Sequence, residues 1–140
     1  MIHRRCPSLV AAATVLILGV TPELAALDWP VASRLLAADR SMAMIRGVWP
    51  GDRSRGIRAE ALQADWFALP VADNSCDLVL GDGSFVVFHH ADAGRLARSV
   101  RRVLKPGGRF LIRVFVRPDG GDSPGEVWER LLARRIGSFH

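Results

Sequence analysis

The sequence predicts an α/β domain built on a mainly parallel sheet of about five strands, with helices on both faces, as alternating strands and helices imply. Three observations predict it. Apolar runs of strand length recur at Thr14–Gly19, Arg34–Asp39 and Asp77–Leu80. Segments with helical periodicity or helical stop signals separate them. The runs are continuous rather than alternating, which is what strands covered on both faces show.

Each element follows in order. Thr14-Val15-Leu16-Ile17-Leu18-Gly19 is β-branched and aliphatic and closes on glycine. A short helix is expected from Pro22, with proline at its first position and Thr21 as cap. Arg34–Asp39 is a second apolar run that ends in a carboxylate. Ser41 is placed to cap a short helix Met42–Arg46, which Trp49-Pro50-Gly51-Asp52 stops. Glu60–Asp65 reads as a third, weaker strand, and Asp77–Leu80 as a fourth, closed by Gly81-Asp82-Gly83. From Asp92 the period becomes helical: Leu96, Val100, Val103 and Leu104 share one face. Arg95, Arg98, Arg101 and Arg102 share the other, which reads as the solvated side. Lys105-Pro106-Gly107-Gly108 ends that helix and turns the chain. Arg109–Arg117 is a fifth strand, and Pro124–Ile136 a last helix with Val127/Leu131 and Trp128/Leu132 pairs.

The N-terminus carries two readings. Met1–Arg5, the apolar Leu9–Val20 and the small Ala25-Ala26 share the layout of a secretory signal. The apolar stretch is too short to span a bilayer. Removing it would also strip the pattern of its first strand, so the strand reading is preferred. Residues 1–13 then form a leader, 14–119 the ligand-binding domain, and 120–140 a C-terminal helix and tail.

At 140 residues, 49% apolar and 24% charged, the chain is one folded domain rather than a disordered one. Its net charge is +5, and Lys105 is its only lysine. The arginines are scattered, paired only at Arg4-Arg5, Arg101-Arg102 and Arg134-Arg135, with no alternating aromatics. That distribution reads as a basic solvated surface rather than a nucleic-acid interface. Cys6 and Cys76 make no disulfide framework, so a cytoplasmic protein with reduced thiols is expected. His89-His90 lacks partners at ligand spacing, and no metal is expected.

In a parallel sheet, ligands bind beyond the carboxyl ends of the strands, where the strand order reverses. Gly19, Asp39, Asp65 and Gly81-Asp82 all fall there. Glycine at the end of the first strand lets backbone approach a ligand. A carboxylate about 20 residues on accepts hydrogen bonds from ribose hydroxyls. Asp39 alone would also suit a helix cap. A nicotinamide-dependent oxidoreductase shares this spacing, but a lone Gly19 lacks the Gly-x-Gly-x-x-Gly fingerprint.

Val15–Gly19 followed by Leu36–Ile45 resembles the first two motifs of class I S-adenosylmethionine-dependent methyltransferases. Ala64–Pro70 followed by Ser75–Leu80 resembles the family's third- and fourth-strand block. Arg101-Arg102-Val103-Leu104-Lys105-Pro106-Gly107-Gly108-Arg109-Phe110 is similar to the start of its fifth strand, and is the most specific match. The resemblance covers about Thr14 to Arg117 and is nearest the small-molecule methyltransferase type 11. It implies a Rossmann-like three-layer sandwich and S-adenosyl-L-methionine as cofactor. Gly19 would then lie against the ligand's amino-acid end. Asp39 would hold the ribose, with Arg40 and Met42 beside the adenine. Asp65 would accept from the adenine amino group, and Trp66 would pack on the ring. Gly81 and Asp82 would border the sulfonium and the methyl acceptor, a small molecule.

Two departures qualify what the resemblance implies. The family's Gly-x-Gly-x-Gly loop is here Gly19-Val20-Thr21-Pro22-Glu23, and Pro22 has no N–H to offer. The Thr21 hydroxyl and the first-turn amides are the groups left to substitute. The family's sheet also continues for two strands beyond the fifth, which would leave Arg109–Arg117 an open edge for a second copy. A degenerate or truncated binding module without catalysis is the alternative to an enzyme. No catalytic residue is identified: transfer depends chiefly on alignment and exclusion of water. Asp82, His89 and His90 are the polar groups expected near the acceptor, and Ser84 has no nucleophile context.

Overall fold

A computed structural model describes residues 11–51, 57–115 and 120–133. The strands are β1 (Thr14–Leu18), β2 (Arg34–Asp39), β3 (Arg58–Gln63), β4 (Cys76–Asp82) and β5 (Leu104–Arg113). The helices are α1 (Pro22–Ala25), α2 (Met42–Val48), α3 (Ala93–Val103) and α4 (Pro124–Leu132). All four strand pairings are parallel, in the order β3-β2-β1-β4-β5. The order reverses between β1 and β4, so the crevice of this Rossmann-like sheet opens beyond those two strands.

The continuous apolarity of β1 is explained by its place between β2 and β4. Its side chains alternate between two cores. Leu16 and Leu18 join Leu36, Ala38 and Val79 beneath Leu96, Val100 and Val103 of α3. Val15 and Ile17 join Leu35, Ala37, Leu78 and Leu80 beside Trp29 and Ile57. Burial of each such large aliphatic side chain stabilises by about 1.5–3 kcal/mol.

Several expectations need adjustment. The third strand is Arg58–Gln63, two residues earlier than Glu60–Asp65, so Ala64 and Asp65 lie just past its end. Only Ala59 is buried in it, as suits a strand at the sheet edge. The fourth strand runs on through Gly81 and Asp82 instead of stopping at Leu80. Lys105–Gly108, expected as a turn before the fifth strand, lies inside β5 as a bulge. Leu104 pairs with Cys76 and Arg109 with Leu78, leaving the four residues between to loop out, with Gly107 at φ +80°. This bulge is pinned. Lys105 Nζ donates to both oxygens of Asp77 at 2.8 and 2.9 Å, and Asp77 also accepts from the Thr14 amide at 2.9 Å. The helix from Asp92 begins one residue later, after a 3₁₀ turn at His90–Asp92.

The arginine face of α3 is not uniformly solvated. Arg102 reaches back to the β3–β4 connection, donating to the carbonyls of Val71 and Leu69 and to Asp73. Arg95 pairs with Asp92 and lies 4.5 Å above the Phe67 ring. At the far end, Ser123 and Glu126 form a reciprocal capping box at the start of α4. The apolar stripe of α4, Val127, Trp128, Leu131 and Leu132, is exposed. Residues 1–10 of the expected leader 1–13, Cys6, both terminal arginine pairs, and positions 116–117 and 134–136 of the expected fifth strand and last helix lie outside the described residues, while the fifth strand itself ends at Arg113. Among the described residues no helix is long and apolar enough to cross a membrane.

Candidate functional site

The register of the sheet places the candidate residues in one row. Asp39 pairs with Gln63, and Asp82 with Arg113. Leu18 pairs with both Ala38 and Gly81, so Gly19 lies between Asp39 and Asp82 at the carboxyl edge. Strands about 4.8 Å apart then set Asp39 and Asp82 roughly 10 Å apart, on either side of Gly19.

Gly19 adopts φ +99°, a conformation an L side chain rarely takes, and its N–H donates to the Ala38 carbonyl at 2.8 Å. A Cβ there would lie 3.7 Å from the Trp66 ring and 4.0 Å from both Asp39 Oδ2 and the Thr21 hydroxyl. Those three groups therefore stand around bare backbone at the end of β1. Thr21 occupies the cap position of α1, but its hydroxyl makes no capping bond. The capping role expected for it is not filled, and its oxygen is turned toward Gly19 instead.

Asp39 performs a local task and keeps a free side. Its Oδ1 accepts from the Ser41 amide at 2.8 Å, while Ser41 caps α2 by accepting from Met44. No described protein donor lies on Oδ2. Oδ1 thus serves the local turn, while Oδ2 faces the Gly19 position. Asp65 is similar: its Oδ1 caps the 3₁₀ turn Trp66–Ala68 through the Phe67 amide at 2.9 Å. Trp66 is fixed by its indole N–H, which donates to the Ala38 carbonyl at 2.6 Å.

Asp39, Arg40, Asp65 and Trp66 line one cavity of about 200 Å³ with Phe67, Val87 and Phe88. The last three were absent from the sequence-based site. Phe88 packs edge-on against Phe67 at 5.5 Å and against Phe85 at 5.4 Å, forming an aromatic wall. The clustered Phe85 and Phe88 are the signal that sequence reading passed over. Gly19, Thr21, Gly81 and Asp82 lie along the crevice outside this cavity, and Met42 does not line it.

On the other side of the crevice, Asp82 is not free. Arg113 grips it in a bidentate pair, Nε to Oδ1 at 2.5 Å and Nη2 to Oδ2 at 2.7 Å. Gly81 is buried, and a Cβ on it would stand 2.7 Å from Ser84 Oγ. Ser84 is itself buried, with no hydrogen-bond partner for its hydroxyl. His89 and His90 are exposed and line no part of the cavity. Cys76 lies at the opposite end of β4, where burial pushes its thiol above the usual range. Among the described residues no group of three or more His, Cys, Asp or Glu is placed to hold a metal.

Comparison with known proteins gives a consistent result. The methyltransferase domain family matches residues 18–112. The chain is similar to the ubiquinone/menaquinone biosynthesis C-methyltransferase UbiE of Klebsiella pneumoniae, at 38% identity over 87 residues. That match covers 61% of this chain and 34% of the relative, so the chain spans about a third of the relative's length. Among solved structures it is similar to the PH0226 protein of Pyrococcus horikoshii, with 27% identity and a TM-score of 0.60, covering 76% of this chain and 50% of that one. It is also similar to an S-adenosylmethionine-dependent methyltransferase from Mesorhizobium loti, with 25% identity and a TM-score of 0.56, covering 74% and 46%.

Proposed function

The chain belongs to the methyltransferase domain family, and we propose that it binds S-adenosyl-L-methionine and directs transfer of its methyl group to a small molecule. The observation that carries this reading is the row Asp39–Gly19–Asp82 across the switch point, with an aromatic-walled cavity beside Asp39. The donor set fits the cofactor. Asp39 offers an open carboxylate oxygen for ribose hydroxyls, and Gly19, held at φ +99°, presents bare backbone beside it. Asp65 stands at the cavity for the adenine amino group, with Trp66, Phe67 and Phe88 as apolar surface for the ring.

When bound, the cofactor supplies a methyl group activated by a sulfonium. The chain's own contribution is positioning. Thr21 Oγ1 and the Glu23 amide stand in for the one N–H donor that Pro22 removes from the loop. Arg40 borders the adenine end, and Gly81 and Asp82 border the acceptor side. Val87 adds apolar surface to the cavity at the adenine end, which helps to exclude water around a seated ring. An in-line displacement is governed by alignment, so no described side chain is assigned as a dedicated base.

A thermal-shift titration tests this reading. Cofactor or its demethylated product at about 100-fold over Kd contributes about 2.7 kcal/mol, which raises Tm by several degrees. NAD at the same concentration leaves Tm unchanged. A shift with NAD alone, or with none of the three, contradicts the reading.

A second reading is favoured by one observation. The outer side of β5 (Leu111) and the following Val114 and Phe115 are exposed, as is the apolar stripe of α4. A binding module that pairs with a second copy along β5 would use that surface. Cofactor binding without transfer to any acceptor, together with a dimeric mass in solution, supports it over the enzyme.

A further inference from the structure

Asp82 is the carboxylate beside the cofactor's sulfur in the reading above, and its partner Arg113 has no role in that reading. The two are adjacent in register at the carboxyl ends of β4 and β5. Arg113 uses Nε and Nη2 on Asp82 in a planar fork, and its guanidinium also lies 5.5 Å from the Phe115 ring. Phe115 in turn packs over Gly83, where a Cβ would stand 2.9 Å from the ring. Gly83 sits at φ +64°, so the turn after Asp82 is shaped to admit that ring. The Asp82 side chain is 23% exposed, against 66% for Arg113. The carboxylate is therefore the better shielded partner, and the cation covers it from the solvent side.

From this geometry we infer that Arg113 sets how the site discriminates the methyl donor from its demethylated product. The inference rests on the cofactor reading. Donor and product share adenosine and amino acid, and differ by one methyl group and one positive charge on sulfur. A free Asp82 carboxylate would favour the donor through that charge. Paired with Arg113, the couple is neutral, and the attraction is largely cancelled. The chain therefore holds product nearly as tightly as donor, and its occupancy follows the donor-to-product ratio. Arg113 is a specificity-determining residue for the cofactor rather than a catalytic one.

The test is calorimetric titration of the full chain with S-adenosylmethionine and with S-adenosylhomocysteine. The variants are Arg113→Met, Arg113→Gln, Asp82→Asn and the Asp82→Asn/Arg113→Met double. Unmasking one full carboxylate charge near the sulfonium, at an effective dielectric of about 20–40, predicts that Arg113→Met raises the donor-to-product affinity ratio several-fold, on the order of 10-fold. Arg113→Gln, which keeps a polar side chain without the charge, raises it similarly. Added salt shrinks the gain, because the unmasked carboxylate is partly exposed. The double variant returns the ratio to near the wild-type value, since no carboxylate remains to unmask. An unchanged ratio in both single Arg113 variants, with both ligands bound, overturns the inference and leaves the cofactor site standing. Failure of the wild-type chain to bind either ligand removes the cofactor reading, and this inference with it.

Discussion

Substituting Gly81 with alanine probes the tightest point of the acceptor side. Gly81 lies directly beside Leu18 in the sheet and is buried. Its missing Cβ would stand 2.7 Å from Ser84 Oγ and 3.3 Å from two carbons of Ile112. Carbon contacts have their minimum at about 3.5–4.0 Å, so all three are repulsive. Ser84 is 1% exposed, so its hydroxyl rotates away only against packed neighbours. Overpacking of this kind costs about 1–3 kcal/mol, and the stiffer unfolded chain of alanine returns about 0.4–1 kcal/mol. Gly81→Ala should therefore lose about 1 kcal/mol, and at most about 2.5 kcal/mol, in urea unfolding followed by circular dichroism. Ser84→Ala alone removes a buried hydroxyl with no partner and should be neutral or slightly stabilising. The double variant should recover at least half of the loss, with a coupling of about 0.5–1.5 kcal/mol. Wild-type stability in Gly81→Ala, or no recovery with Ser84→Ala, would refute this account of the β4 terminus.

Two further outcomes follow from pinned groups. Burial alone would raise the Asp77 carboxyl, but the Lys105 ammonium and the Thr14 amide outweigh it and hold it below the ordinary range. The pair's contribution is therefore complete above the usual carboxylate value of about 3.9 and is lost as pH falls through the lower folded value. Lys105 is 42% exposed, so screening limits Lys105→Met to a loss of about 0.5–1 kcal/mol at pH 7. That difference from wild type should shrink in acid denaturation below about pH 4. Trp66→Phe removes the bond to the Ala38 carbonyl and should destabilise by about 1 kcal/mol. Any cofactor-dependent change in tryptophan fluorescence should be lost in that variant, although Trp29, Trp49 and Trp128 remain.

The parts of the fold written in contiguous residues were legible. β2 was read as Arg34–Asp39 because a buried aliphatic run stops at a carboxylate. β3 was placed late, because the charged Arg58 hides its start; pairing with Arg34 in register, and the Arg34–Glu60 ion pair across to β2, make this charged stretch a strand only in the sheet. Lys105–Gly108 read as a turn, since proline and glycine commonly punctuate elements, yet the Asp77 partner 28 residues upstream holds it as a bulge. The same division runs through the site. Gly19 and Asp39 announce themselves through their order along the chain. Phe67, Val87 and Phe88 meet across a crossover, and Arg113 meets Asp82 from 31 residues away. Nothing local marks Arg113, which looks like any other arginine of a basic chain. Arg102 was likewise assigned to the solvated face of α3 because its targets, Leu69, Val71 and Asp73, belong to a distant loop.

The central claim is that the open side of Asp39 holds the ribose of S-adenosylmethionine. Calorimetric titration of wild type and Asp39→Ala with S-adenosylmethionine tests it most directly, with circular dichroism to establish that both chains are folded. The account predicts saturable binding by wild type and an affinity at least about 10-fold weaker in Asp39→Ala, as expected for loss of charge-assisted hydrogen bonds to two hydroxyls. Equal affinity in the two folded chains, or no binding by the folded wild type, would contradict it.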